Sequence, residues 1–168
     1  MTTNKLAITK RSISTEKLAL LYGGAGGSLM IIYFFIINAL DLQGSQEARF
    51  GSHAFTVLAV FLALRAYIAQ SPCPAPYMSG LGLGFLVGLV GSVLFAGFIF
   101  VYAHVLNAAY QLELQNQTYF GASVDAYILA ATITLLGVVI GSLTGFILMM
   151  SQDISAQEKY EASMNSPD

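Results

Sequence analysis

Gly80 to Asn107 reads GLGLGFLVGLVGSVLFAGFIFVYAHVLN, a run without a single Asp, Glu, Lys or Arg. At 1.5 Å per residue it would form a helix about 42 Å long, more than the roughly 30 Å hydrocarbon core of a bilayer, so it must tilt or project beyond the lipid. Neither loop nor soluble core accounts for a stretch this apolar. The reading that follows is a membrane-spanning helix, and the rest of the chain agrees with it. Between Leu18 and Met150 only six side chains are charged, namely Asp41, Glu47, Arg49, Arg65, Glu113 and Asp125.

Working outward, the spacing predicts three more spans. The first is Leu18 to Leu40, ending at Asp41; the second runs from His53 to Ala69; the fourth covers Val124 to Met150. Pro72, Pro74 and Pro76 interrupt the chain between the second and third, because proline lacks a backbone donor and restricts the residue before it. A basic N-terminus, 1–17, and a polar tail, 151–168, flank the membrane domain, 18–150. The apolar run from Leu18 exceeds the 7–15 residues of a signal-peptide core and lacks a small-residue cleavage site, so it reads as a retained span. The expected fold is an all-α four-helix bundle. The tail reads as a short amphiphilic helix, limited by Pro167 and few apolar residues.

Composition narrows the function classes. Hydrophobic residues make up 56% of the chain and charged ones 10%, against about a quarter charged in a soluble domain. A net charge of −2 without a cationic cluster gives nucleic-acid binding no electrostatic basis. The single cysteine, Cys73, can close no internal disulfide and forms no CxxC metal pair.

Orientation follows from the cations, which are retained on the cytoplasmic side. With the N-terminus inside, Lys5, Lys10, Arg11, Lys17, Arg65 and Lys159 lie within and only Arg49 lies outside, so both termini are expected in the cytoplasm. Tyr22, Tyr67 and Tyr77 then fall near the inner interface, and Tyr102, Tyr110, Tyr119 and Tyr127 near the outer one, as an aromatic belt requires.

The sharpest pattern is small residues at i+4: Gly80, Gly84, Gly88, Ser92 and Ala96 in the third span, and Gly137, Gly141 and Gly145 in the fourth. Lipid gives helices no hydrophobic reason to associate, so small residues matter by letting backbones approach and gain dispersion contacts. Such rows predict that spans three and four pack through them, with crossings near −40°; a face for a second subunit is the other use of the same rows. Val87, off the row, is expected to tolerate leucine. Gly23, Gly24, Gly26 and Gly27 cluster in the first span and could seat against either neighbour.

Chemistry-bearing residues are few. Arg65, one turn before the second span ends, reads as an interface anchor whose stem snorkels to the headgroups, with a lipid-phosphate contact as the alternative. Asp41, His53, His104 and Asp125 all map to outer helix ends, where water can satisfy them. Their types suit a metal or a proton path, but no HExxH, Glu-x-x-His or paired-carboxylate spacing fixes a ligand set. No catalytic, cofactor or metal site is therefore assigned. Asn116-Gln117-Thr118 matches a short glycosylation pattern.

The order of features, Lys17-Leu18 opening a glycine-bearing first span, Ala63-Leu64-Arg65-Ala66-Tyr67 closing the second, and Ser79 to Gly91 opening a glycine-rich third, resembles a family of small bacterial four-span membrane proteins catalogued as a domain of unknown function. The similarity covers roughly residues 15–150. It implies a bacterial cytoplasmic membrane and supplies no active-site residues. The expected role is a non-enzymatic scaffold or accessory subunit, partnered by lipid and by other membrane subunits or its own copies; a small oligomeric transporter or channel is the runner-up. Against transport stands the lack of an ionisable side chain near the midplane.

Overall fold

The computed structural model describes residues 14–40, 42, 50–71, 75–106, 110, 118–119, 122–123 and 125–164, the last stretch with side chains to 155. Four helices dominate: α1 (Thr15–Ala39), α2 (His53–Gln70), α3 (Tyr77–Val101) and α4 (Ala126–Met164). All four contain segments long and apolar enough to cross a membrane. The chain has the architecture of a multi-pass membrane protein. Its described strands are a two-residue pair, β1 (Thr118–Tyr119) against β2 (Ala122–Ser123).

Local chemistry sets the helix ends. Ser14 caps α1, its hydroxyl accepting from the Lys17 amide at 3.4 Å. Pro76 precedes α3, whose first turn starts at Tyr77, three positions ahead of the apolar run that defines the span; the Gly80 amide donates back to the Pro76 carbonyl. At its far end α3 widens into a π-helical turn, Tyr102–Leu106, rather than running on as a regular α-helix. Helix α4 differs most from expectation. It continues without a break to Met164, so the polar tail up to that residue is the projecting end of the fourth helix. Its 39 residues span about 58 Å.

Two buried clusters mark the two ends of the bundle. In the first, Leu18 and Ala19 from the start of α1 meet Ala63 and Leu64 from the end of α2, Leu83 of α3 and Met149 of α4. The start of α1 and Met149 therefore share one end. At the other, Phe34 is ringed edge-on by Phe95, Phe98, Tyr102 and Tyr110, with centroids 5.1–6.5 Å away. Tyr102 and Tyr110 are 8% and 6% exposed, so they belong to this aromatic core and not to an interfacial belt. Quadrupole-favoured edge contacts hold them there. Tyr127, 62% exposed, does face outward.

Candidate functional site

The most highly built region is the pair of backbone contacts on α3. Gly84 and Gly88 lie against Gly137, Gly141 and Gly145 of α4. A Cβ placed on Gly84 would fall 2.8 Å from the Gly141 oxygen and 2.9 Å from the Gly145 Cα; one on Gly88, 2.5 Å from the Gly137 oxygen. At the ends of the row the partners become side chains: Gly80 abuts the Met149 thioether, and Gly137 abuts Ser92. Ser92 is fully buried, and its hydroxyl donates to the Gly88 carbonyl at 2.7 Å, with the Leu89 carbonyl at 3.2 Å and the Thr134 carbonyl of α4 at 3.4 Å also in reach. A polar group in the packed interior is thus satisfied within its own helix, as burial demands.

A second seam lies on another face of α3. Gly91 approaches Gly23, whose oxygen would sit 3.1 Å from an added Cβ, and a Cβ added to Gly27 would sit 2.8 Å from the Gly91 oxygen. Gly23 also meets the Val87 oxygen and the Val90 side chain. The glycine cluster of α1 is therefore divided: Gly23 and Gly27 serve α3, Gly26 meets Ala59 of α2, and Gly24 meets nothing within 4 Å. Gly91 was not legible as a contact because it stands outside the i+4 row. Val87, 1% exposed, belongs to the core rather than to a tolerant surface.

The ionisable candidates do not converge. Among the described residues no three His, Cys, Asp or Glu side chains lie close enough to hold a metal. His104 is exposed, stacked on Phe100 at 4.4 Å, with Nδ1 3.1 Å from the Phe100 carbonyl. Asp125 caps α4, Oδ1 accepting from the Ala126 amide at 2.7 Å. His53 departs from the water-satisfied role: it is 8% exposed, and its Nδ1 has no hydrogen-bond partner. Near it in sequence, Thr56 Oγ1 donates to the Met30 sulfur at 3.6 Å. The Asn38 amide donates to the Tyr102 hydroxyl at 3.5 Å, a link between α1 and the π-helical turn that the sequence did not suggest. Asp41, Cys73 and Asn116 lie outside the described residues.

No family model, curated protein or solved structure matches this chain. What it does must be argued from its own surfaces. Arg65 is exposed on the outward face of α2, with its guanidinium carbon 5.6 Å from the Phe61 ring centroid. The remaining open features are glycines: like Gly24, Gly82 and Gly97 of α3 have nothing within 4 Å of an added Cβ.

Proposed function

We propose that the chain is a non-enzymatic scaffold or accessory subunit of a membrane complex. The observation that carries this reading is the division of its glycines. Most are filled by a neighbouring helix, but Gly24, Gly82 and Gly97 leave backbone open on outward faces. Ser28 stands one turn after Gly24, exposed, its hydroxyl turned onto the Gly24 carbonyl at 2.9 Å, so this patch of α1 is small and self-satisfied. Such a surface suits a helix of another membrane subunit or a second copy, since close backbone approach is the main source of association energy in lipid. A location in a bacterial cytoplasmic membrane, membership of the small four-span family of unknown function, and both termini in the cytoplasm complete the proposal. The orientation is supported by the placing of the cations.

Affinity purification in mild detergent, with identification of co-purifying subunits, tests the role. Gly24→Leu or Gly97→Leu should abolish recovery of a partner while the chain still folds; unchanged recovery from both variants would remove the argument. The runner-up, a small oligomeric transporter or channel, is favoured by His53, whose buried unpartnered Nδ1 offers a ligand or proton acceptor. A thermal-shift screen separates the readings, because anything that binds only the folded state raises its stability. The scaffold reading predicts no specific stabiliser among metals, ions and metabolites. A shift with one divalent metal, abolished by His53→Ala, would favour transport.

A further inference from the structure

Between Leu18 and Met150 the described residues include two charged side chains, Asp125, which caps α4, and Arg65. Arg65 shares the outward face of α2 with Val57, Leu58, Phe61 and Leu62, all exposed and apolar. It is a charge set into an exposed apolar stripe. Its helix ends at Gln70, so its Cα stands about 7.5 Å inside that end. Helical side chains lean toward their own N-terminus, and Arg65 does so, lying over Phe61 one turn back. The lean carries the guanidinium away from the nearer end of the helix, opposite to the direction in which a snorkelling side chain relieves its charge. Ring and guanidinium together make a preformed platform, since the cation lies over the face of the ring while its donors make no hydrogen bond among the described residues.

No carboxylate among the described residues pairs with Arg65. From this geometry we infer that the Arg65 guanidinium binds the phosphate of an anionic glycerophospholipid in the leaflet at that end of the bundle, drawing the headgroup down onto the Phe61 platform. A planar fork of donors matches a phosphate. A zwitterionic headgroup brings its own cation and gains less from the contact. Lys17 lies at the same end, because Leu18 and Ala19 pack on Ala63 and Leu64. Glu16, exposed beside Lys17 in the first turn of α1, offsets its charge and leaves Arg65 to carry the site. The site is independent of any scaffold role.

The experiment uses the full chain in mild detergent. Bound lipid is counted by native mass spectrometry, and unfolding midpoints are measured with phosphatidylglycerol, phosphatidylcholine or inorganic phosphate added. Phosphatidylglycerol should raise the midpoint more than phosphatidylcholine, and inorganic phosphate should leave it unmoved. R65Q should lower phosphatidylglycerol occupancy about fivefold and erase its advantage over phosphatidylcholine. An equal advantage in R65Q would overturn the assignment, as would equal shifts from both lipids, or a shift from inorganic phosphate alone, which would mean a free-anion site. Should R65Q not fold, R65K decides: it keeps the charge but loses the fork, so its advantage should shrink, and an advantage equal to the parent's would refute the site.

Discussion

Gly88 and Gly141 face each other backbone to backbone, so that a Cβ on the first would lie 3.1 Å from the Cα of the second, and a Cβ on the second 2.8 Å from the Cα of the first. Neither position can accept even a methyl group unless the helices move apart. Gly88→Ala and Gly141→Ala should each destabilise the bundle by about 1–3 kcal/mol, the range for overfilling a packed site. Gly97→Ala, with open space around it, should instead stabilise by up to about 1 kcal/mol through helix propensity. Reversible unfolding in detergent reads the sign; if all three variants shift alike, the contact does not govern stability.

Val87 offers a sharper test of which faces are interior. It is 1% exposed and its carbonyl lies under Gly23, whereas Val93 is 50% exposed. Leucine at 87 should cost about 1–3 kcal/mol and leucine at 93 less than about 0.5 kcal/mol. The same unfolding assay serves, and equal costs would contradict the two-sided burial of α3.

His53 carries an unpartnered nitrogen in a buried setting. Replacing such a group by an apolar one of similar size removes a desolvation cost without losing a bond, so His53→Leu should be neutral or stabilising. His104→Ala, at an exposed stacked ring, should change stability by less than about 0.5 kcal/mol. A drop of more than about 2 kcal/mol in His53→Leu would mean that the imidazole has a partner and that its role is larger than packing.

The unbroken course of α4 is measurable. Spin labels at Val139 and Tyr160 should sit about 32 Å apart along one rod. Proline at Ser155 should shorten and broaden that distance by breaking the helix between them. A broad distribution in the parent chain would argue for a hinge at the membrane surface.

Topology rests on the cations and can be read directly. Reporters fused after Asp168 and within 111–123 should signal cytoplasm and exterior respectively, and Cys73 should resist impermeant thiol reagents in intact cells. The opposite pair of signals would invert the orientation.

Number, order and approximate limits of the helices were legible in the sequence because exclusion of charge is a strong and local signal. The α3–α4 seam was legible for a related reason, since Gly84, Gly88, Gly137 and Gly141 repeat with a definite phase. Burial was not. In lipid an outward valine and an inward valine are equally apolar, which is why Val87 reads from sequence as a position that tolerates leucine although it is buried. Nor could the α1 glycines be assigned, because Gly23, Gly24, Gly26 and Gly27 point around most of the helix and carry no phase. His53 was misjudged for a third reason: its place at a helix end says nothing about what the neighbouring helices cover. The run of α4 past Met150 escaped notice because polar residues with ordinary helix propensity mark the end of an apolar span and not the end of a helix.

Among the described residues the seams in which glycine meets glycine all pass through α3, and the order of biosynthesis delays them. A nascent chain delivers its spans to the bilayer in order, so the hub arrives third. Until it does, α1 and α2 meet through side chains, with Ala59 against Gly26, Phe55 beside Tyr33 and Thr56 beside Met30, and Gly23 and Gly27 present bare peptide backbone to lipid. The chain must leave the ribosome through Gly91 before the first seam of glycine on glycine can form. The early intermediate is a helical hairpin waiting for a partner, and that interval is when an insertase or a quality-control protease has its best view of the chain.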